Sequence, residues 1–395
     1  MNNSTIPKLL ELAAHSLLSR EAMPALEEFT VDLFPPLLTA AFSKGHKKAL
    51  KELVQAWPFP FLRLGSLIVR WPNQDSLQAV LDGLEALPAN RTCPRVERSC
   101  GSLHLCCRKL HIEEMPFNSL IGILKTLDLN FIQELEVFDW FRALSEQSLF
   151  ATQLGRMCNL QSLKLAYYHW AFSPDGEQSS SYFLSQLSKL AHLQKLHLSY
   201  SYLSGNLHQV LSCLQSPLQT LEIRSCTLLD TDITYLSQSP HATCLKKLDL
   251  SGNNLSHVVP GPLETLLQEV SGTLQHLDLN HCRLKDGHLS AILPALCRCS
   301  HLSSLGLSDN PVSRAGLMTL LEHTTGLMEL KRVLYPIPVE CCVYLQGLSW
   351  GPVNKGKLCQ VQAELQKVLQ AVQRADMQWS PPLPSPLPVR LVQLD

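Results

Sequence analysis

The sequence predicts an α/β fold: a leucine-rich repeat solenoid curved into a horseshoe, with parallel strands on the concave face, helices outside and a helical cap at the N-terminal end. Three observations predict it. A frame Leu-x-x-Leu-x-Leu recurs at Leu160/Leu163/Leu165, Leu193/Leu196/Leu198, Leu218/Leu221/Ile223, Leu245/Leu248/Leu250, Leu274/Leu277/Leu279 and Leu302/Leu305/Leu307, at intervals of 33, 25, 27, 29 and 28 residues. A period of that length marks units that bury their apolar side chains only by stacking on the next. The position three after the last strand leucine reads Cys226, Asn253, Cys282 and Asn310 in four consecutive units, where a small polar group can bond the neighbouring backbone. Between strands the apolar spacing turns helical, as in Leu263, Leu266, Leu267 and Val270 or Leu289, Ile292, Leu293 and Leu296.

Taken in order, residues 1–92 lack the repeat and read as short helices. Pro7 and Pro35–Pro36 suit first helical positions, Gly45 ends a helix, and Asp75 is placed to cap one carrying Leu77, Val80, Leu81 and Leu84. Residues 93–335 hold the repeats: weaker copies at Ile132/Leu135/Val137 and Leu103/Leu105 extend the array backwards, and Leu327/Leu330 begin a last unit. Tyr168 and Ser201 stand at the ladder position of the two earlier strands, so that end is expected to be less regular. Residues 336–379 form a C-terminal helical cap with Val361, Leu365, Val368 and Leu369 on one face, and 380–395 a proline-rich, extended tail.

Composition narrows the function. Charged residues are 17% of the chain against about 25% in ordinary soluble proteins, and 45% are hydrophobic, enough for a large core. A net charge of −1 supplies no field for a polyanion, which argues against direct nucleic-acid binding. No basic leader and no run of 18 apolar residues occurs, so neither secretion nor membrane insertion is expected, and the 14 cysteines are expected to be reduced. No phosphate-binding glycine loop, zinc-protease helix or nucleophile elbow is present; no catalytic residue and no cofactor is expected, and the chain is expected not to be an enzyme. His104, Cys106, Cys107 and His111, and Cys297, Cys299 and His301, include metal-ligand types without two separated ligand pairs, so no metal site is assigned. Two Leu-x-x-Leu-Leu stretches, 263–267 and 317–321, could dock in a receptor groove, but their leucines are also the inward stripe of repeat helices. Lys44, His46, Lys47, Lys48 and Lys51 read as a solvated helix face.

Several segments resemble one known family. Leu-Leu-Glu-Leu-Ala (9–13), Leu-Phe-Pro-Pro-Leu (33–37), Val-Gln-Ala-Trp-Pro-Phe (54–59), Ala-Val-Leu-Asp-Gly-Leu (79–84), Leu-Cys-Cys-Arg-Lys-Leu (105–110), Leu-Ser-Gln-Ser-Pro (236–240) and Val-Leu-Tyr-Pro-Ile-Pro (333–338) are similar, in one order, to the PRAME (preferentially expressed antigen in melanoma) family, which includes the oocyte-expressed oogenesins. The resemblance implies a leucine-rich repeat substrate receptor of a cullin-2 ubiquitin ligase that binds elongins B and C. It also implies a cytoplasmic and nuclear location and effects on proliferation, differentiation and apoptosis. The alternative it carries is a nuclear co-repressor docking on the retinoic acid receptor. Leu9, Ala13 and Leu17 match the family's elongin box, and Phe34, Pro35 and Leu38 its cullin box; the same residues can equally be cap core. The chain departs from the family where Cys93–Gly101 replaces a first repeat and a variable insert, and where Ser380–Asp395 replaces a cysteine-rich tail.

Strand alternation then nominates a surface for a protein substrate. Residues flanking the second and third leucines point to the concave face, and among them Lys164, Lys195, His197, Glu222, Arg224, Lys247, Asp249 and Asp278 carry charge or can acquire it. Read strand by strand, no single sign dominates, which suits a folded protein or mixed-charge peptide. Trp170, with Tyr167, Tyr168, Tyr200 and Tyr202, either fills the lengthened 33-residue unit or forms an aromatic centre of that surface.

Overall fold

The computed structural model describes residues 18, 26, 29–59, 61–62, 74–86, 104–105, 107–113, 117–138, 144–168, 177–259, 261–342 and 353–381. They fall into two compact units, one of residues 1–110 and 115–134, the other of 111–114 and 135–395.

In the first unit, α1 (Phe34–Lys44) starts on Pro35–Pro36, where a missing N–H costs nothing, and buries Phe34, Leu37, Leu38, Ala41 and Phe42. Gly45, at φ 70°, donates its N–H to the Ala41 and Phe42 carbonyls and ends the helix in the left-handed conformation that glycine adopts freely. Helix α2 (Lys47–Gln55) inserts Leu50, Leu53 and Val54, and α3 (Gln74–Glu85) lies against it. Two of the lysines read as solvated reach across to α3: Lys47 to Asp75 at 3.0 Å and Lys51 to Asp82 at 2.6 Å. Asp75 is therefore not the cap expected of it; it stands in the first turn of a helix that begins one residue earlier.

Strands β1 (Phe61–Leu62) and β2 (His104–Leu105) pair with each other in a separate two-stranded parallel sheet. This corrects the reading of Leu103/Leu105 as a repeat strand. The end strand of the main sheet is β3 (Lys109–Glu113), which turns Ile112 inward. Helix α4 (Phe117–Thr126), with Leu120 and Leu124 buried, separates it from β4 (Glu134–Phe138).

The main sheet has ten strands in strict chain order. After β4 come β5 (Ser162–Ala166), β6 (Lys195–Ser199), β7 (Thr220–Arg224), β8 (Lys247–Asp249), β9 (His276–Asp278), β10 (Ser304–Gly306), β11 (Arg332–Leu334) and β12 (Gln378–Ser380). Every pairing from β5 to β12 is parallel, and the frame leucines align, Leu163 with Leu196, Leu196 with Leu221, Leu221 with Leu248. The intervening helices are α5 (Leu144–Leu154), α6 (Glu177–Leu187), α7 (Leu207–Ser212), α8 (Asp230–Gln238), α9 (Pro262–Val270), α10 (Asp286–Leu296), α11 (Arg314–Thr324) and α12 (Lys355–Ala371). Frame leucines from Leu160 to Leu330 are buried, and helix stripes such as Leu263, Leu266, Leu267 and Val270 close on them. The last repeat uses Leu330/Val333/Tyr335, one turn later than the expected Leu327/Leu330, and Ser380, assigned by sequence to the tail, ends a strand paired with β11.

The ladder residues act as the sequence requires. Asn253 accepts the N–H of Cys226 (2.9 Å) and of Leu228 (3.4 Å) on Oδ1, and its Nδ2 donates to the carbonyls of Ile223 (2.7 Å) and Leu250 (2.8 Å). Asn310 repeats the pattern with the N–H groups of Cys282 and Leu284 and the carbonyls of Leu279 and Leu307. Cys226 and Cys282 are buried free thiols whose Sγ reach back to the Leu198 and Leu250 carbonyls; burial pushes both thiols up to about 12, so they are inert packing groups.

Candidate functional site

Register brings the nominated charges into one band. Lys164, His197, Glu222, Asp249 and Asp278 occupy corresponding positions on five adjacent strands, with Gly306 following on β10. Glu222, 6% exposed, is the hub. His197 Nδ1 lies 3.0 Å from its Oε2, Arg224 Nη2 2.9 Å, and Lys247 Nζ 2.7 Å from its Oε1. Burial alone would raise this carboxyl, but its bonds to His197 and Lys247 and the charge of Arg224 outweigh burial and hold it at about 2.

Arg224 also directs Nε and Nη2 onto Asp249 Oδ2, both at 2.7 Å, while the Ser251 N–H donates to Oδ1 at 2.9 Å. Asp249 is only 2% exposed and so is fully used within the protein. Asp278 has no such partner: burial, then the Asp249 charge, raise its carboxyl, and Asn280 Nδ2 donates to it at 3.3 Å. Asn280 in turn accepts the N–H and hydroxyl of Ser308, at 2.8 and 2.9 Å. A Cβ at Gly306 would collide with the Asp278 carboxylate and the Asn280 amide, so the missing side chain is what lets these groups settle. Lys164 places its ammonium 4.7 Å from the centre of the Phe138 ring, a cation–π contact that sequence reading missed. Lys195 is exposed.

The aromatic group divides. Tyr167 and Tyr200 stack at 4.8 Å with planes 10° apart, and Tyr200 and Tyr202 are 57% and 65% exposed. Tyr168 does not join them. It is buried at the ladder position, its ring 4.7 Å from Phe183, so of the two readings it takes the one in which the ring fills the lengthened unit. Trp170 lies outside the described residues, as do Leu9, Ala13 and Leu17. Phe34 and Leu38 are buried, with the Phe34 ring edge-on to Trp57 at 6.1 Å, while Pro35 is exposed.

The other motifs resolve into structure. All six leucines of the two Leu-x-x-Leu-Leu stretches are 0% exposed, so neither stretch can enter a receptor groove while folded. His111 turns to Glu136 (2.9 Å) and Glu113 (3.2 Å), and these carboxylates, Glu136 foremost, raise its imidazole against the opposing effect of burial. His301 pairs with Glu329 at 3.2 Å, and Cys299 is buried. Among the described residues no group of three His, Cys, Asp or Glu could hold a metal ion, and no helix is long and apolar enough to cross a membrane.

A charged, hydrogen-bonded band on the open face of a leucine-rich repeat sheet defines a scaffold for binding other proteins. Two family domains cover nearly the whole chain, the PRAME N-terminal domain over residues 6–100 and the PRAME C-terminal domain over 95–381. The chain belongs to the PRAME family. It is similar to PRAME family member 20 of Homo sapiens, 36% identical over an alignment of 456 positions, gaps included, that covers 95% of this chain and 94% of the relative. It is likewise similar to human PRAME family member 12 (35% identity, 92% and 90% covered) and to human leucine-rich repeat-containing protein 14 (33%, 91% and 93% covered).

Proposed function

We propose that the chain is a non-catalytic substrate-recognition subunit of a cullin-2 ubiquitin ligase, joined to elongins B and C by its N-terminal helices and holding a protein for ubiquitination on the strand face. The observation that carries this reading is family membership over both domains: the N-terminal family domain contains the elongin-box-like Leu9, Ala13 and Leu17 and the cullin-box-like Phe34, Pro35 and Leu38. The charged band supports it further, because Glu222, Arg224 and Asp249 fix one another's geometry and present a pre-organised surface. This reading includes action in cytoplasm and nucleus and no catalytic step of the chain's own.

The experiment is elongin co-purification with the full chain and with the Leu9→Asp/Ala13→Asp double variant. Two unpaired carboxylates on the apolar ridge should abolish capture while the repeat array stays folded. Undiminished capture by the folded variant would sink the ligase reading.

A further inference from the structure

Sorting the face by register, not by strand, isolates one row that holds no carboxylate. The row one step towards the strand N-termini from Glu222 contains Lys195, Lys247, His276 and Arg332, with Thr220 and Ser304 between them, Ser162 and Gln378 at its two ends and no carboxylate from β5 to β12. Lys246, exposed, adds a further cation just outside it. The three carboxylates of the neighbouring row are the half-covered Asp278 and the buried Glu222 and Asp249, and the last two are consumed by Lys247 and Arg224. Lys195, Lys246 and Arg332 are exposed and enter no ion pair among the described residues. The face therefore carries its acids in the inner row on β7–β9, balanced there by His197, Arg224 and Lys247, and a carboxylate-free basic row along one edge.

Gly306 also opens a groove here. Ser304, Leu305 and Gly306 line it, with Lys247, His276 and Arg332 on its basic side and the Asp278 carboxylate on the side of the Glu222 row, over Gly306. The His276 imidazole is lowered by burial and by the charges of Lys247 and Arg332, against the smaller opposing effect of Asp278, a sign that the groove is locally positive.

We infer that this edge row seats an extended, aspartate- and glutamate-rich segment of the partner protein, lying across the strands from Lys195 to Arg332. The inference rests on the reading of the strand face as the substrate seat, and specifies that substrate's chemistry. Spacing fixes the pattern. Neighbouring strands lie about 4.8 Å apart, so Lys195 and Lys247, two strands apart, are separated by about 10 Å, and Lys247 and Arg332, three apart, by about 14 Å. An extended chain rises about 3.3 Å per residue and turns alternate side chains to opposite faces, so acids about four residues apart at each step stay on the facing side and span these gaps within reach of the long cationic arms. A nucleic acid carries charge far more densely than these few cations match, and the chain's net charge of −1 gives it no supporting field.

The test is fluorescence anisotropy of the full-length protein with a labelled peptide of about ten residues carrying glutamate at that spacing. The parent should bind it, less tightly as salt rises. Lys195→Gln/Lys246→Gln/Arg332→Gln should weaken binding about tenfold, while Lys195→Arg/Lys246→Arg/Arg332→Lys should keep it. Equal binding by the glutamine triple variant, equal binding of the matching lysine peptide, or tighter binding of a single-stranded oligonucleotide would overturn the inference. Elongin capture, measured on the same variants, reports separately on the ligase reading: its persistence without peptide binding removes only the acidic-segment assignment, and its loss in the parent removes only the ligase.

Discussion

The repeats from β7 onward and the two before them solve one problem by different means. Each unit must turn sharply after its strand, leaving backbone N–H and C=O groups buried between layers. In the later units an alternation of cysteine and asparagine answers: each asparagine side chain makes five bonds in two repeats, and each thiol fills the narrow space between. At the earlier positions Ser201 bonds only the Ser199 carbonyl, at 3.2 Å, and Tyr168 fills the layer with a ring against Phe183. The difference teaches that a polar spine makes the later repeats interchangeable, whereas aromatic filling makes the earlier ones individual and releases Tyr200 and Tyr202 to the surface.

The largest expected effect breaks the spine. Asn310→Ala strips partners from the N–H groups of Cys282 and Leu284 and from two carbonyls, and should cost about 3–5 kcal/mol of unfolding free energy, against about 1 kcal/mol for Ser201→Ala. Urea titration of both variants checks this, and comparable losses would erase the distinction between the two regions.

A smaller effect lies in the charged network that joins them through His197 on β6, Glu222 on β7 and Lys247 on β8. The Glu222 carboxyl sits at about 2 in the fold against an ordinary 4.5. A carboxyl lowered by folding stabilises fully above its unfolded value, and that stabilisation is lost as pH falls from 4.5 towards 2. Discounted for coupling among the charges, it amounts to about 2 kcal/mol. Acid unfolding followed by circular dichroism should be steeper over that window in the parent than in Glu222→Gln; parallel curves would show that the network does not act on stability.

The smallest effect sharpens the aromatic side of the comparison. Tyr200→Ala removes the stack on Tyr167 and should cost about 0.5–1.5 kcal/mol. Tyr200 holds φ at 53°, so Tyr200→Gly loses the same stack but relieves the left-handed backbone and should be the milder change in a thermal melt. A glycine variant less stable than the alanine one would mean that the backbone there is not strained.

The repeat period was legible because the frame leucines are the core itself: removing one from the pattern would open a cavity. The ladder was legible for a similar reason, since few side chains other than asparagine and cysteine fit and bond there. Leu103 and Leu105 misled because alternation marks a strand without naming its sheet, and β2 pairs with Phe61–Leu62 instead. Tyr167 and Tyr168 left two readings open because adjacent residues point opposite ways, Tyr167 to the stack on Tyr200 and Tyr168 to the core against Phe183. Each strand charge could be named from the sequence by alternation, but the row without carboxylates exists only across strands, through their register. Reading three residues of one strand at a time mixes the rows.

The cysteine–asparagine alternation also imposes an order of completion. The buried N–H of Cys226 is met by Asn253, 27 residues further along, and that of Cys282 by Asn310, 28 residues further along. A turn of this kind is unfinished when its own repeat has been made; it closes only after the following repeat arrives. During synthesis the growing end therefore always carries one open turn, and each new layer seals the one before it.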